Sequence, residues 1–195
     1  MTDGDPRRVR EGDIPGAGVL GMWVFLATLT VLFVAAIVGY LVVRLKATAW
    51  PPPGMPRLPS GLWLATAALV AGSVTIDRAH RAIRRGERTL CTRWLLATTV
   101  LALVFLSVQS WNWWGLIRLH LTAASNLYAF TFFMLTGLHA AHVVGGVVLL
   151  LVVLARSLRG RYGSGRYGGV TYAAMYWHFL DAIWLLLFAV LVVFA

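Results

Sequence analysis

Long, unbroken runs of apolar residues dominate the hydrophobic pattern of this chain. Five of them can be marked off directly, at residues 19–43, 61–83, 94–114, 127–155 and 170–195. A helix crosses the roughly 30 Å hydrocarbon core of a bilayer in about 20 residues, at about 1.5 Å per residue. Each run is long enough for this, and none alternates polar with apolar residues as a half-buried strand does. The pattern therefore predicts an all-α integral membrane bundle of five transmembrane helices.

The connections between these runs are short and leave no room for a second domain. We predict a polar cytoplasmic tail over residues 1–17 and a single transmembrane domain over residues 18–195. The first connection is rich in proline between Trp50 and Pro59. Proline fixes φ and lacks the backbone donor that a helix needs, so this segment is expected to be a stiff, extended connector.

Composition supports a membrane environment. Hydrophobic residues make up 59% of the 195 residues and charged residues only 12%. Soluble domains carry roughly twice that share of charge, about 25%. The single cysteine, Cys91, cannot form an internal disulfide.

The formal net charge of +10 could suggest a nucleic-acid partner, but the positions of the basic residues indicate a membrane topology instead. Most of the 17 basic residues fall on one side of the predicted membrane, namely Arg7, Arg8, Arg10, Arg78, Arg81, Arg84, Arg85, Arg88, Arg93, Arg156, Arg159, Arg161 and Arg166. The other side holds Arg44, Lys46, Arg57 and Arg118. The positive-inside rule then places the N-terminus inside and the C-terminus outside. The arginines also suit anionic lipid headgroups, and we expect no nucleic-acid partner.

Polar residues inside the predicted spans are few, and in lipid they are the informative ones. Those well inside are Gln109, Asn112, His139, His142, His178 and Asp181. His139 and His142 are three residues apart, which places them on one helix face. They could be ligands, a proton relay or interhelical hydrogen-bond partners. A bis-histidine haem would need a second helix, and His178 could supply the second ligand. A metal site is not indicated, because no third ligand stands at the usual spacing.

Asp181 lies near the bilayer centre, about 16 Å along its predicted helix. A buried carboxylate needs a donor or a cation to remain there. We expect that partner to be His178 one turn earlier, or His139 or His142 across a helix interface. Glycines in the fourth span, Gly137, Gly145 and Gly146, predict close helix contacts.

Several of these segments resemble signature motifs of subunit III of the haem-copper oxidases. Residues 132–146, F-F-M-L-T-G-L-H-A-A-H-V-V-G-G, are similar to the family's F-x-L-T-G-x-H-x-x-H-V-x-x-G helix. Residues 176–185, Y-W-H-F-L-D-A-I-W-L, resemble its Y-W-H-F-V-D-x-V-W signature. Residues 21–28 resemble the first shared helix, and residues 73–75 and 109–111 are weaker matches. The motif residues, to which the resemblance assigns packing, lipid contact or support of proton uptake, are Gln109, Thr136, Gly137, His139, His142, Trp177, His178 and Asp181.

The chain departs from the family pattern at two buried acids. Leu29 stands where the first shared helix usually carries a glutamate, and Asn112 replaces a glutamate that usually follows the glutamine of the third span. Both changes remove an intramembrane carboxylate. They put any role that relies on those acids in doubt and indicate a divergent branch.

The resemblance implies a non-catalytic accessory subunit of the short, five-helix bacterial form. Subunit I is its expected direct partner, with subunit II in the same complex. Haem and copper are expected in those partners, bound phospholipid is expected on this chain, and the bacterial plasma membrane is the expected location. The resemblance also places the first two spans in one arm and the last three in another.

Other functions remain open at this level. A cytochrome c oxidase is the first expectation, and a quinol oxidase or a nitric-oxide reductase is the alternative. A haem b-binding membrane anchor, using His139 or His142 with His178, belongs to a different class. A proton-coupled transporter would need titratable groups along a path, and Leu29 and Asn112 weaken that reading.

Overall fold

The computed structural model describes residues 17–53, 55 and 59–193. These residues form five α-helices, which are α1 (Ala17–Lys46), α2 (Gly61–Arg84), α3 (Arg88–Arg118), α4 (Leu127–Leu158) and α5 (Gly168–Val193). Each helix is long and apolar enough to cross a membrane. The predicted all-α architecture is confirmed, and the helices extend past most of the predicted apolar runs into their polar flanks. Of the predicted tail over residues 1–17, only Ala17 lies within the described residues.

Helices α2 to α5 form an up-down-up-down bundle. In this bundle α2 and α4 each pack against both α3 and α5. Helix α1 lies outside the bundle on α4 and α5, and within the described part of the chain it does not contact α2. The prediction that the first two spans form one arm is therefore wrong. The hairpin between Arg84 and Arg88 holds α2 on α3, whereas the longer proline-rich connector allows α2 to begin away from α1.

Aromatic residues fill the interior of the bundle. The Phe105 ring meets the Trp184 ring edge to face, with centroids 5.0 Å apart. Both side chains are completely buried, as is Leu135. Aromatic pairs in this geometry are stabilising beyond the area that they bury, so a ring contact joins α3 to α5.

The first connector is anchored by its tryptophan. The Trp50 ring lies between Tyr40 of α1 and Tyr128 of α4, with centroid distances of 5.7 and 5.0 Å. Its described residues are not helical, as predicted, whereas residues 54 and 56–58 lie outside the described part.

One end of the bundle gathers the ends of four helices and most of the described arginines. Thr92 of α3 lies 2.7 Å from Ser157 of α4, between their hydroxyl oxygens. At the same end, the Arg78 guanidinium lies over the Trp94 ring at 4.8 Å from its centroid. Cys91 is also here, and its side chain is completely buried. We call this end of the molecule the basic end.

Candidate functional site: polar contacts inside the bundle

A row of polar contacts joins α2 to α5 along the length of the bundle. On α2 the contacts recur at intervals of seven residues, which places them along one helix stripe. From one end to the other, Trp184 Nε1 donates to Thr66 Oγ1 (2.9 Å), Ser73 Oγ donates to Asp181 Oδ2 (2.8 Å), and Thr171 Oγ1 lies 3.2 Å from His80 Nε2. We call these contacts the α2–α5 polar row.

The middle of the α2–α5 polar row is a three-residue group. Ser73 Oγ donates to the Asp181 carboxylate and also lies 3.3 Å from His178 Nδ1. Asp181 is 9% exposed, and its other oxygen, Oδ1, is buried without a partner among the described residues. The direct partner of Asp181 is thus Ser73 of α2 and not a histidine, and the predicted His178 belongs to the same group through its contact with Ser73.

His178 lies on an exposed face at this depth. It is ten residues into α5, counted from Gly168, and thus about 15 Å along the helix axis. Its side chain is exposed in the isolated chain and lines a groove of about 580 Å³ between α1 and α5, together with Trp23, Ala27 and Phe179. An ionisable imidazole therefore stands at an open surface near the bilayer centre.

His139 occupies the opposite kind of environment. It is completely buried, and its ring lies among Phe33, Phe105 and Trp184 at centroid distances of 6.2, 5.7 and 4.9 Å. Neither of its ring nitrogens has a hydrogen-bond partner among the described residues. These rings leave no open face for a ligand on this histidine.

His142 is turned toward α1. Its Nδ1 lies 2.7 Å from the Leu138 carbonyl oxygen, and its ring is 5.0 Å from the Phe33 ring. His139 and His142 thus both meet Phe33, as their shared helix face predicted, but their polar atoms do not form a common site.

The remaining motif residues serve mainly as helix contacts. Thr136 is buried and accepts a hydrogen bond from Trp113 Nε1 at 3.1 Å, which joins α4 to α3. Trp177 is 1% exposed, and Gln109 is completely buried. The Trp177 Nε1 and both polar atoms of the Gln109 amide lack partners among the described residues.

Only one of the three predicted glycine contacts in α4 is close. A Cβ on Gly146 would approach Leu180 and Tyr176 to 3.1 and 3.2 Å. A Cβ on Gly145 would meet only the Tyr176 hydroxyl, at 3.6 Å, and one on Gly137 would meet nothing within 4 Å. The prediction is therefore wrong for Gly137 and Gly145, which lie off the contact stripe.

The sequence reasoning did not identify the contribution of α2. Thr66 and His80 were not singled out, and Ser73 entered only through a weak motif match, yet all three contact α5. Gly72 was also missed, although it lets the Trp177 indole pack against α2. The polar residues at positions 66, 73 and 80 could have indicated that α2 contacts another helix, since seven-residue spacing keeps side chains on one stripe of a helix.

Among the described residues, no cluster of three or more His, Cys, Asp or Glu side chains could hold a metal ion. The fold and these contacts define a multi-pass membrane protein whose buried polar side chains connect helices.

Comparison with known proteins gives the family. Residues 16–195 match the family model for cytochrome c oxidase subunit III. The chain is 32% identical over 176 residues to cytochrome c oxidase subunit 3 of Synechocystis sp., covering 89% of this chain and 74% of that protein. Its identity to the Thermostichus vulcanus protein of the same name is 33% over 178 residues, covering 91% and 87%. The Branchiostoma lanceolatum protein of that name is 38% identical over 141 residues, and there the match spans 71% of this chain and about half, 53%, of the relative.

The chain belongs to the cytochrome c oxidase subunit III family. It is an accessory subunit of a haem-copper oxidase and works in a complex with other oxidase subunits.

Proposed function

We propose that this chain is the third subunit of a cytochrome c oxidase in a bacterial plasma membrane and contacts subunit I directly. In that position it supports proton uptake and the durability of the active site in its partner. The observation that carries the proposed contact with subunit I is the Ser73–His178–Asp181 group, which stands at mid-bilayer depth with His178 exposed.

An exposed imidazole at this depth is unfavourable in contact with lipid tails. Ionisable groups inside membranes almost always face protein or a water-filled cavity. His178 has Ser73 as a hydrogen-bond partner within its own chain but stays exposed, because in the described part of the chain α1 and α2 lie on either side of α5 without contacting each other. The surface made by α1, α5 and α2, which we call the docking face, is therefore best covered by another protein.

The chemistry of the docking face defines its partner. Apart from His178 and Thr30, the groove is lined by apolar side chains such as Trp23, Leu26 and Phe179. A transmembrane helix of subunit I with one polar side chain at mid-bilayer depth fits this surface. Interhelical hydrogen bonds of this kind contribute about 0.6 kcal/mol on average in membrane proteins, so packing area supplies most of the affinity.

The haem and copper of the complex belong to the partner subunits in this proposal. His139 does not fit an axial haem ligand, because three aromatic rings surround it. His178 is engaged by Ser73 on α2. With His139 enclosed, the haem-anchor alternative would rest on His142 and His178, whose Nδ1 atoms already lie beside the Leu138 carbonyl and the Ser73 hydroxyl.

A bulky substitution on the docking face tests the contact with subunit I. Ala27 is exposed and lines the groove beside His178, so Ala27→Trp should block the approach of the partner helix. Ala141 is also exposed, on α4, and Ala141→Trp is the matched control. The measurement is the amount of this chain that co-purifies with an affinity-tagged subunit I.

We expect Ala27→Trp to lower co-purification strongly and Ala141→Trp to leave it unchanged. His178→Leu should lower it less, since one hydrogen bond is lost and the packing area remains. Full retention of the Ala27→Trp chain would show that another face contacts subunit I. Failure of even the native chain to co-purify would contradict the oxidase complex itself.

A further inference from the structure

The end of the molecule opposite the basic end, which we call the far end, carries basic side chains but no Asp or Glu. Helix α1 finishes here with Arg44 and Lys46 in its last turn, and α3 finishes with Arg118. The acidic residues of the chain precede α1, lie toward the basic end or stand at mid-membrane depth, namely Asp3, Asp5, Glu11, Asp13, Asp77, Glu87 and Asp181. The basic side chains of the far end therefore have no acidic side chain beside them in the sequence of α1, α3 or the connections that follow these helices.

The basic end differs from the far end in this respect. Arg81 pairs there with Asp77. The acidic residues of the tail also precede α1 on this side, because α1 begins where Gly18 faces Tyr172 near the start of α5. A carboxylate side chain that neutralises the far end therefore has to come from another molecule.

Arg44 is the far-end cation that the fold holds in place. Its guanidinium carbon lies 5.9 Å from the centroid of the Trp50 ring, and that ring is itself fixed between Tyr40 and Tyr128. The Arg44 side chain is half-buried, and its Nε is buried without a partner among the described residues. We call these four residues the Arg44 cluster. An arginine held against an aromatic face keeps its guanidinium as a planar fork of donors for an incoming acceptor.

The position of Arg44 along α1 places the Arg44 cluster at the headgroup level. Helix α1 has 30 residues and is about 45 Å long, so a centred α1 extends about 7 Å beyond each side of a 30 Å hydrocarbon core. Arg44 is two residues before the end of α1 at Lys46, about 3 Å back along the axis. A partly buried charge at this level is screened by salt much less than a charge in open water.

Two kinds of acceptor match the guanidinium fork, namely a side-chain carboxylate and a phosphate. The observations favour the carboxylate of a protein. With the basic end in the cytoplasm, as the positive-inside rule predicts, the far end lies at the outer surface, whereas attraction of basic segments to anionic lipid belongs to the cytoplasmic leaflet. The Arg44 cluster also draws on α1, the first connector and α4, so its geometry suits an acceptor that a folded partner holds equally still.

We propose that Arg44 binds an Asp or Glu side chain of a neighbouring oxidase subunit at the outer surface of the membrane. The terminal guanidinium nitrogens donate to the carboxylate oxygens, and this ion pair supplies the negative charge that the far end lacks. The contact requires the complex of oxidase subunits but not the docking face, whose groove on α1 is lined by Trp23, Leu26, Ala27 and Thr30, nearer the start of that helix.

Zero-length crosslinking in the intact complex tests this contact. Lys46 is the only lysine of the chain, so in a Lys46→Arg background the Arg44→Lys variant has its only side-chain amine at position 44. A carbodiimide joins an amine directly to a carboxylate that touches it, and mass spectrometry then identifies the acidic residue. The matched control is Arg118→Lys in the same background, since Arg118 is an exposed far-end arginine that also lies over a tryptophan ring, that of Trp114.

We expect position 44 to crosslink to one Asp or Glu of another subunit, with a yield at least about fivefold above that of position 118. Equal yields at the two positions would mean non-specific contact and would overturn the proposal. So would a crosslink only to an acidic residue of this chain. The absence of any polypeptide crosslink would make lipid or solvent the occupant and would overturn it equally.

Charge reversal gives a second readout. Arg44→Glu should lower the amount of this chain that stays with the complex through a detergent wash about fivefold, and Arg118→Glu should leave it unchanged. Changing the crosslinked acidic residue of the partner to Arg should then restore retention of the Arg44→Glu chain, which repair of a merely misfolded chain would not do. Unchanged retention of the Arg44→Glu chain, or no recovery in the doubly reversed complex, would contradict the ion pair.

Discussion

Ser73 and Asp181 bring a hydroxyl and a carboxylate together near the bilayer centre, where neither group can rely on water. The 2.8 Å hydrogen bond between them joins two helices that are far apart in sequence. His178 stands beside this pair and faces outward. One small group of residues thus has two functions, since it closes the α2–α5 contact and presents a polar atom to the docking face.

Substitutions of Asp181 test whether its carboxylate has a structural function or transfers protons. Asp181→Ala leaves the Ser73 hydroxyl without its acceptor, a cost of about 1–3 kcal/mol, and should weaken retention of this subunit by the complex. Asp181→Asn keeps a carbonyl oxygen for Ser73 and should retain the subunit. The measurements are subunit content after a detergent wash and the proton-uptake rate of the complexes that keep it.

Proton uptake should change little in either variant, because the carboxylate acts here as a hydrogen-bond acceptor. If the Asp181→Asn complex kept its subunit but took up protons several-fold more slowly, Asp181 would be a relay residue.

At the level of the helices, small residues determine which helix surfaces can pack closely. Gly72 of α2 and Gly146 of α4 both face α5, where they accept the side chains of Trp177, Tyr176 and Leu180. Since lipid tails are as apolar as the helix surfaces, close packing rather than the hydrophobic effect drives such association. Helices α4 and α5 each contact three other helices, α4 with α1, α3 and α5, and α5 with α1, α2 and α4.

A pair of glycine substitutions tests this packing. A Cβ on Gly72 would lie 2.9 Å from Trp177 Nε1 and 3.2 Å from another atom of the same ring, so Gly72→Ala should cost about 1–3 kcal/mol, as overpacking does. Gly137→Ala meets open space and should be neutral or slightly stabilising. The check is the temperature at which this chain dissociates from the purified complex, and equal temperatures for the two variants would contradict the packing described here.

The sequence predicted the helices well and their arrangement poorly, for a physical reason. Runs of apolar residues long enough to span a bilayer are a one-dimensional signal. They predicted the helix ends to within three residues, except in α3, which begins six residues before the predicted run and ends four residues after it. The depth of Asp181 follows from the same counting. The partner of Asp181 cannot be found by counting. The choice between Ser73 and a histidine depends on which helix lies against α5, and apolar surfaces alone do not encode that choice.

The wrong prediction that α1 and α2 form one arm has the same origin. Adjacent spans usually pack together, but the segment between Lys46 and Gly61 is long enough to separate them. The seven-residue spacing of Thr66, Ser73 and His80, which the prediction did not use, indicates a polar stripe on α2 that needs a partner helix. Tertiary contacts then identified that partner as α5 rather than α1.

At the level of the whole molecule, the distribution of arginines is the main evidence for the orientation of the chain in the membrane. The basic end joins the ends of α2 and α4 to the beginnings of α3 and α5. We propose that this end faces the cytoplasm, in accord with the positive-inside rule. The native thiol cannot report this, because Cys91 is completely buried.

Introduced cysteines test the orientation. Ser164 and Ala124 are exposed loop residues, in the fourth and third connections respectively. In a Cys91→Ala background, a membrane-impermeant maleimide applied to intact cells should label Ala124→Cys and not Ser164→Cys. Labelling of both after the membrane is permeabilised confirms that each thiol is reachable. The reverse pattern on intact cells would invert the topology.

As an accessory subunit, this chain should carry no redox centre of its own. The most direct measurement is the distribution of haem and copper after the intact complex is purified through a tag on this chain and the chain is then stripped from it in detergent. We expect the tagged chain to bring a haem-copper oxidase with it. After stripping, we expect all of the iron, copper and haem absorbance to remain with the partner subunits. Stoichiometric haem or copper on the stripped chain would contradict this account.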